Sequence, residues 1–352
     1  MALSIWAWTR AALVMAVAAG GLLACGNEPT LRVRVPDVEV VPAEPEPVLG
    51  SLKGRVCSPS GFSWVGAADV RVRGSDRVVQ TDSAGSYAID GLPLGEVTLD
   101  ITKGSFSATV TVVVDGETAV DVGPSCLGGD VSIAVVVGHY DAIQNLLADL
   151  GLQYTLVEIE DTVDWLRDPG ALSDYDIVFF NCGMRTDWVM YPEVANHLRD
   201  YVLQGGSIYA SDRSYQVIED VFPDAIDFLG DDGNPLDVAR GQRGEYVARV
   251  VDRDLQAVLG TEVAHIHYDF DNWTIAERTR GGEALLEAEV LAAAPVPTDP
   301  PATQPSVLAV RARVGRGTVV FTSFHNQTQN GSLAGPPTGD MLRILEDIIL
   351  SL

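Results

Sequence analysis

The chain has 352 residues, of which 47% are apolar, enough for one large folded domain or roughly two to three of ordinary size. Its 49 acidic residues outnumber its 23 basic ones, and the formal net charge of −26 excludes most nucleic-acid-binding proteins, because clustered Lys or Arg must neutralise a phosphate backbone. The two lysines, Lys53 and Lys103, form no polybasic stretch that could attract anionic lipid. We therefore expect no nucleic-acid partner, and attachment to a membrane must come from something other than surface charge.

The N-terminus is typical of an exported protein. Arg10 is the only charged residue before an apolar run over residues 11–24, and Cys25 follows this run at once. The run is shorter than the about 20 residues that span a bilayer, so residues 1–24 are predicted to be a signal peptide. Residues 22–25 (LLAC) resemble the lipobox of bacterial lipoproteins, in which the Cys is acylated and the signal peptide is cleaved before it.

This resemblance implies that Cys25 carries a lipid and anchors the protein in the bacterial cell envelope. Gly26 and Asn27 follow in place of the Asp that retains lipoproteins at the inner membrane of enteric bacteria, so the outer membrane is the expected location. Ordinary secretion, with Cys25 uninvolved, is the alternative. Residues 25–50 interleave proline with acidic residues, which predicts a semi-rigid linker between the anchor and the folded part.

Residues 51–128 have the pattern of a small β domain. Short runs of alternating polarity, such as residues 70–73 (VRVR) and 97–101 (VTLDI), are separated by turn residues, which predicts an antiparallel β-sandwich. Residues 54–56 (GRV) and 81–95 (TDSAGSYAIDGLPLG) resemble the carboxypeptidase regulatory-like family, which has a transthyretin-like sandwich. The resemblance implies an accessory or adhesive module without catalytic residues.

Two cysteines, Cys57 and Cys126, lie near the first and last predicted strands of this domain. In an exported protein a pair so placed predicts a disulfide bond, and two buried free thiols are the alternative.

Residues 130–352 change to alternating strands and helices. Strands are predicted over residues 131–137, 154–159, 175–181 and 207–211, helices over 141–150, 194–203 and 340–350, and a β-hairpin over 307–314 and 318–323. This alternation predicts an α/β domain with a doubly wound, flavodoxin-like parallel sheet, in which ligands bind beyond the carboxyl ends of the strands.

The same region resembles the class I glutamine amidotransferase-like superfamily. The resemblance rests on residues 173–183 (SDYDIVFFNCG), 205–212 (GGSIYASD) and 322–327 (TSFHNQ). In active members, the strand that corresponds to residues 206–211 ends in a nucleophilic Cys on a strained turn into a helix. A Phe-His-Pro-Glu element after the hairpin supplies the base and the carboxylate that orients it.

The chain departs from this pattern at both positions. The nucleophile position falls on or next to Asp212, and although His325 matches the base, Asn326 and Gln327 replace the Pro-Glu pair. Thiol catalysis needs a Cys whose pKa a nearby base lowers, and Gln cannot stabilise an imidazolium as a carboxylate does. The resemblance therefore argues against amidotransferase chemistry.

Other candidate nucleophiles are few. Cys182 ends the third strand and is expected to be a buried structural thiol, with a reactive thiol and another pairing as alternatives. Ser211 and Ser214 could replace the nucleophile, but no Gly-x-Ser-x-Gly elbow surrounds them.

A metal site is the remaining chemical candidate. His265, His267 and Asp269 share one face of a predicted strand and could present nitrogen and oxygen ligands, although a solvated face of an edge strand has the same pattern. Residues 231–234 (DDGN) look like an exposed turn without the EF-hand pattern, and residues 292–305 like a surface loop. We expect no metal and no cofactor.

These observations together predict a bacterial cell-envelope lipoprotein, in which a β-sandwich presents a catalytically degenerate amidotransferase-like domain for binding or interaction. Envelope proteins or polysaccharide are the expected partners, and no catalytic residue is assigned. The alternative is an envelope hydrolase that uses Asp212 and His325 as acid and base. Metal-dependent binding through His265 and His267 is a third hypothesis.

Overall fold

A computed structural model describes residues 48–116, 118–230, 238–292, 303–326 and 339–352. The chain divides into two units, residues 1–46 and 47–352, and every described residue belongs to the second. The predicted signal peptide, Cys25 and most of the predicted linker lie outside the described residues, as do the predicted turn at 231–234, Gln327 and most of the predicted loop at 292–305. Among the residues that are described, no helix has the length and apolar character needed to cross a membrane.

The first part of the described chain consists of seven strands in two sheets. The strands are β1 (Leu49–Cys57), β2 (Asp69–Val72), β3 (Val78–Gln80), β4 (Ser86–Pro93), β5 (Gly95–Lys103), β6 (Phe106–Val114) and β7 (Val120–Cys126). One sheet has the order β4-β1-β7 and the other β3-β2-β5-β6. Alternate side chains along the strands, such as Val97, Leu99 and Ile101 of β5, are buried in a core to which both sheets contribute.

One strand pair differs from the antiparallel arrangement predicted from the sequence. β1 and β7 run parallel, whereas the other neighbours in the two sheets are antiparallel. No hairpin joins β1 to β7, so no local turn forces them to be antiparallel. The register places Cys57 opposite Cys126, and the two form the predicted disulfide bond, which is confirmed.

The second part alternates strands with helices and ends in a helix. Its strands are β8 (Ile133–Val136), β9 (Thr155–Val157), β10 (Ile177–Phe180), β11 (Ser207–Ser211), β12 (Ile226–Phe228), β13 (Arg240–Gly241), β14 (Gly244–Val250), β15 (Val263–Tyr268), β16 (Trp273–Thr274), β17 (Ala276–Thr279), β18 (Glu283–Leu291), β19 (Thr303–Val314) and β20 (Gly317–Thr322). Its helices are α1 (Ile143–Asp149), α2 (Thr162–Arg167), α3 (Pro192–Gln204), α4 (Gln216–Val221), α5 (Arg253–Leu259) and α6 (Asp340–Ser351). The predicted hairpin is confirmed, with Val314 opposite Gly317.

The large sheet is mixed. Five parallel strands run in the order β20-β11-β10-β8-β9, and antiparallel strands extend the sheet beyond β20 in the order β19-β18-β14-β15. The sequence predicted the parallel strands and the hairpin but no antiparallel extension. Pairing of β14 with β18 is a long-range contact that no local pattern specifies.

Helices cover both faces of the parallel strands. Every residue of β8 and β10 is buried, as a strand covered on both faces requires. Val135 and Phe179 belong to a core that includes residues of α1 and α6, whereas Val178 and Phe180 belong to a second core with residues of α2, α3 and α4. The carboxyl ends of the parallel strands therefore lie between the α1 and α6 layer and the α2, α3 and α4 layer.

The two parts of residues 47–352 are in close contact. Nζ of Lys103, at the end of β5, lies 2.5 Å from Oδ1 of Asp347 in α6, and both side chains are largely buried. The Ser105 hydroxyl donates a hydrogen bond to the Leu352 carbonyl at 2.8 Å. Gly104, between Lys103 and Ser105 in the sequence, has φ +54°, and a Cβ there would stand 2.6 Å from the Leu350 carbonyl oxygen. A glycine is required here because the backbones approach so closely.

Candidate functional site

The carboxyl ends of four parallel strands carry the polar residues of the site. Asp141 follows β8, Cys182 follows β10, Asp212 follows β11 and His325 follows β20. All four side chains are buried. Because the strands are adjacent and parallel, residues far apart in sequence meet at this edge, which is where α/β sheets bind ligands.

Asp212 occupies a sharp turn between a strand and a helix. Ser211 is extended, Asp212 has φ +44°, and a 3₁₀ turn over Asp212–Ser214 leads into α4. A non-glycine residue with positive φ is uncommon and costs on the order of 1–3 kcal/mol, so the surrounding structure must hold it there. The resemblance to amidotransferases implies a nucleophile at such a turn, and here the strained position holds a carboxylate.

The Asp212 carboxylate has buried polar neighbours. Its Oδ1 accepts a hydrogen bond from the backbone N–H of Thr274 in β16, at 2.7 Å. Its Oδ2 accepts one from the Cys182 thiol at 3.5 Å and lies 3.7 Å from Nε2 of His325. The side chains of Asp212 and His325 are only 3% and 1% exposed. The structure therefore brings Asp212, His325 and Cys182 together, but beneath the surface.

Asp141 forms a second layer under this cluster. Its Oδ2 accepts a hydrogen bond from the Ser211 hydroxyl at 2.6 Å, and Ser211 Oγ accepts one from the Cys182 backbone N–H at 3.0 Å. Oδ1 accepts from the backbone N–H of Asn326 at 3.3 Å. Burial raises the pKa of Asp141, against the opposing effect of nearby His325. The network joins the ends of β8, β10, β11 and β20.

Asn326, directly after His325, is hydrogen-bonded to the start of α1. Its side-chain amide donates to the Ala142 carbonyl at 2.7 Å, and its Oδ1 accepts from the Ala142 N–H at 3.1 Å. Sequence reasoning treated Asn326 only as a departure from the Pro-Glu pair, and it missed Asp141 and Thr274. The position of Asp141 just after a predicted strand was an available signal, whereas nothing in the sequence places Thr274 beside Asp212.

The hydroxyl and thiol groups of the site are engaged in the structure. Burial, followed by the charge of Asp212, raises the pKa of the Cys182 thiol well above its ordinary value, so the reactive thiolate is disfavoured. Ser211 bonds to Asp141, and Ser214 donates to the Asn181 carbonyl at 2.7 Å. Both serines are fully buried. Neither they nor Cys182 is presented to a substrate.

The histidines of β15 lie elsewhere. β15 is the outer strand of the antiparallel extension, and His265 and His267 are on its exposed face. The His265 side chain is 58% exposed, and its Nδ1 lies 3.0 Å from Oε1 of Glu245. Within the described ranges, His265, His267 and Asp269 do not bring three ligand atoms within 4.8 Å of one another, whereas Cys182, Asp212 and His325 do.

Comparison with known proteins reveals similarity at the level of structure. No protein-family model and no curated protein matches the sequence. A glutamine amidotransferase from Methylobacillus flagellatus is 12% identical, over 63% of this chain and 92% of that one, with a TM-score of 0.40. The glutaminase domain of Trypanosoma brucei CTPS is 14% identical, over 63% and 93%, with a TM-score of 0.37. A cytoplasmic protein of Salmonella typhimurium is 11% identical, over 62% and 98%, with a TM-score of 0.40. The similarity is distant and assigns no activity to this chain.

Proposed function

We propose that this chain is a lipid-anchored protein of the bacterial cell envelope, whose amidotransferase-like domain is a non-catalytic binding or interaction domain. In this proposal the seven N-terminal strands are a transthyretin-like sandwich, and residues 130–352 are a doubly wound α/β domain. The protein serves at the envelope surface, with another envelope protein or a polysaccharide as its partner.

The proposal rests on the residue at the turn between β11 and α4 and on its hydrogen bonds. Asp212, and no Cys, has the positive φ at this turn, and the Thr274 N–H and the Cys182 thiol both donate hydrogen bonds to its carboxylate. A carboxylate bound in this way is a poor nucleophile towards an amide. The nearest thiol, that of Cys182, is itself buried and has a raised pKa.

The proposal of a lipid anchor at Cys25 is based on the sequence alone. Residues 22–25 close an apolar run in the way that a lipobox closes a signal peptide. Lipidation by more than one acyl chain gives stable attachment, whereas one chain alone gives marginal binding. The acidic excess keeps the exposed domains in solution at the membrane surface.

The absence of catalysis can be tested on the full chain extracted in detergent. Glutamate release from glutamine, and hydrolysis of a panel of simple esters, are measured for the wild type and for Cys182→Ala and His325→Ala. We expect the rates of all three to equal the rate without protein. Turnover by the wild type that disappears in His325→Ala would overturn the non-catalytic assignment.

The anchor is tested separately by cell fractionation. Cys25→Ser removes the sulfur on which the lipobox chemistry begins, so the variant should be lost from the membrane fraction or remain as an uncleaved precursor. Incorporation of labelled palmitate into the wild type and not into Cys25→Ser is the direct readout. Labelling of both proteins would refute the assignment of Cys25.

An envelope hydrolase is the second candidate, and one distance favours it. Nε2 of His325 lies 3.7 Å from Oδ2 of Asp212, just beyond direct hydrogen-bond distance, so the two groups face each other as an acid and a base would. Their burial opposes it, since a substrate must reach both groups. Hydrolysis of peptidoglycan or polysaccharide fragments that both Asp212→Asn and His325→Gln abolish would establish this alternative, and unchanged rates would exclude it.

A further inference from the structure

We propose that Cys182, Asp212 and His325 bind one Zn²⁺ ion, or a similar borderline transition-metal cation, at the carboxyl ends of β10, β11 and β20. This inference goes beyond the proposed function, because a metal site here does not depend on the anchor, the partner or the absence of catalysis. It assigns a role to a buried cluster whose sequence positions suggested only a failed catalytic site.

The distances fit a tetrahedral ion. With bonds of about 2.3 Å to sulfur and about 2.0–2.1 Å to nitrogen and oxygen, neighbouring ligand atoms of tetrahedral Zn²⁺ stand roughly 3.3–3.6 Å apart. Asp212 Oδ2 lies 3.5 Å from Cys182 Sγ and 3.7 Å from His325 Nε2. Ligand atoms of the three residues all lie within 4.8 Å of one another. The two distances to Asp212 Oδ2 are thus close to those of a bound ion.

The ligand types select the metal. A thiolate, an imidazole and a carboxylate are the three side-chain ligands that Zn²⁺ takes in proteins, whereas Mg²⁺ and Ca²⁺ require oxygen ligands. The Cys182 thiolate and the Asp212 carboxylate together carry two negative charges, which one divalent cation balances. Charge balance matters here because an uncompensated buried charge is costly. On binding, the ion displaces the Cys182 thiol proton to water, and water fills the fourth coordination position.

Groups around the cluster hold the ligands in place. The Thr274 N–H donates a hydrogen bond to Oδ1 of Asp212, and Oδ2 faces the Cys182 thiol and the His325 imidazole. Ser211 accepts from the Cys182 N–H and donates to Asp141, so the backbone that carries the thiol is fixed. Such outer hydrogen bonds orient metal ligands and contribute to affinity.

Burial gives the ion a structural role. All three ligands are more than nine-tenths buried, so a bound ion is shielded from substrates and joins three strand ends that come from distant parts of the chain. The three ligands come together only in the folded chain, so binding of the ion is coupled to folding. We therefore expect the ion to enter during folding and to exchange slowly from the native state.

The experiment measures the metal content of the full chain after refolding. Detergent-extracted protein with its disulfide intact is unfolded in urea with a chelator, refolded with ZnCl₂ or CoCl₂, and freed of unbound metal. Mass spectrometry of the metal should give one equivalent per chain, and the Co²⁺ form should show a thiolate-to-cobalt charge-transfer band. Zn²⁺ should also raise the thermal midpoint of the wild type, a readout that needs no variant.

Variants locate the ion. Cys182→Ser should lose the charge-transfer band, and Asp212→Asn and His325→Gln should each weaken binding by more than the about 10–100-fold expected for loss of an outer-layer partner. Asp212→Asn is chosen because Asn tolerates positive φ and can still accept from Thr274. His265→Gln/His267→Gln is the matched control, since this exposed pair should be dispensable.

Two results would overturn the assignment. The first is a wild type that refolds to the same thermal midpoint with and without Zn²⁺ and retains no stoichiometric metal. The second is stoichiometric metal that Cys182→Ser retains and His265→Gln/His267→Gln loses, because the ion would then sit at β15.

Discussion

The ion pair of Lys103 and Asp347 is expected to hold the N-terminal sheets against the α/β part, and Lys103→Met tests this. The two side chains are only 5% and 10% exposed, and Lys103 Nζ also donates to the Gly66 carbonyl at 3.1 Å. Met keeps the apolar length of Lys and removes the charge. Removal of one partner from a buried pair costs about 3–5 kcal/mol, because the other charge stays buried without compensation. We expect the free energy of unfolding to fall by that amount at pH 7.

The stability lost in Lys103→Met should become smaller as the pH falls. Burial raises the pKa of Asp347 above its ordinary value of 3.8, and Lys103 opposes this rise. Without Lys103 the pKa of Asp347 rises further. Above pH 3.8, Asp347 therefore binds a proton more readily in the folded variant than in the unfolded chain. Protonation removes the buried charge, and the penalty of Lys103→Met therefore shrinks as the pH falls from 7 towards 3.8.

Urea unfolding followed by tryptophan fluorescence measures both effects, because Trp64 lies in the first part of the chain and Trp273 in the second. Lys103→Met/Asp347→Leu should recover most of the stability, since an apolar pair replaces a buried ion pair at little cost. Arg73→Met is the matched control, because the Arg73–Asp100 pair is exposed and should contribute nothing measurable. A Lys103→Met variant as stable as Arg73→Met would refute the reasoning.

Three further predictions concern the thiol, the disulfide and the close backbone contact. In the metal-free native protein, Cys182 should resist iodoacetamide at pH 8 and react once urea is added, because burial raises its pKa; rapid native labelling would contradict this. Replacing Cys57 and Cys126 together with Ala should lower the free energy of unfolding by about 4 kcal/mol, as expected for a cross-link spanning 69 residues, and a loss below about 1 kcal/mol in urea unfolding would contradict it. Gly104→Ala should lower the thermal midpoint more than Gly74→Ala does, because both glycines have positive φ but a Cβ has open space only at Gly74; equal shifts would contradict the contact with α6.

The sequence predicted the parallel strands and the helices α1, α3 and α6 because their signals are local, whereas the short helices α2, α4 and α5 were not predicted. The apolar residues of β8 and β10 form short continuous runs, and the apolar face of α1 recurs at helical spacing, so each element can be recognised without its neighbours. The disulfide was predictable for a similar reason, since two cysteines near the ends of one module in an exported chain have few other partners.

The antiparallel extension and the parallel β1–β7 pair were not predicted, because they depend on which distant strand each edge meets. The same holds for Lys103 and Asp347. Both are charged residues in otherwise ordinary surroundings, and nothing near either one in sequence indicates that its charge is buried against the other.

For the site, the sequence by itself determined the residue types: a carboxylate at or beside the nucleophile position, a histidine at the base position without its orienting carboxylate, and one thiol left over. Only the tertiary structure decided that Asp212 has the strained φ, that Cys182 and His325 both approach the same carboxylate oxygen, and that Asp141 and Thr274 support them. The physical reason is that adjacent parallel strands bring their carboxyl ends to one edge whatever their separation in sequence. Distances of a few ångströms between such residues follow from packing and register, which no local pattern contains.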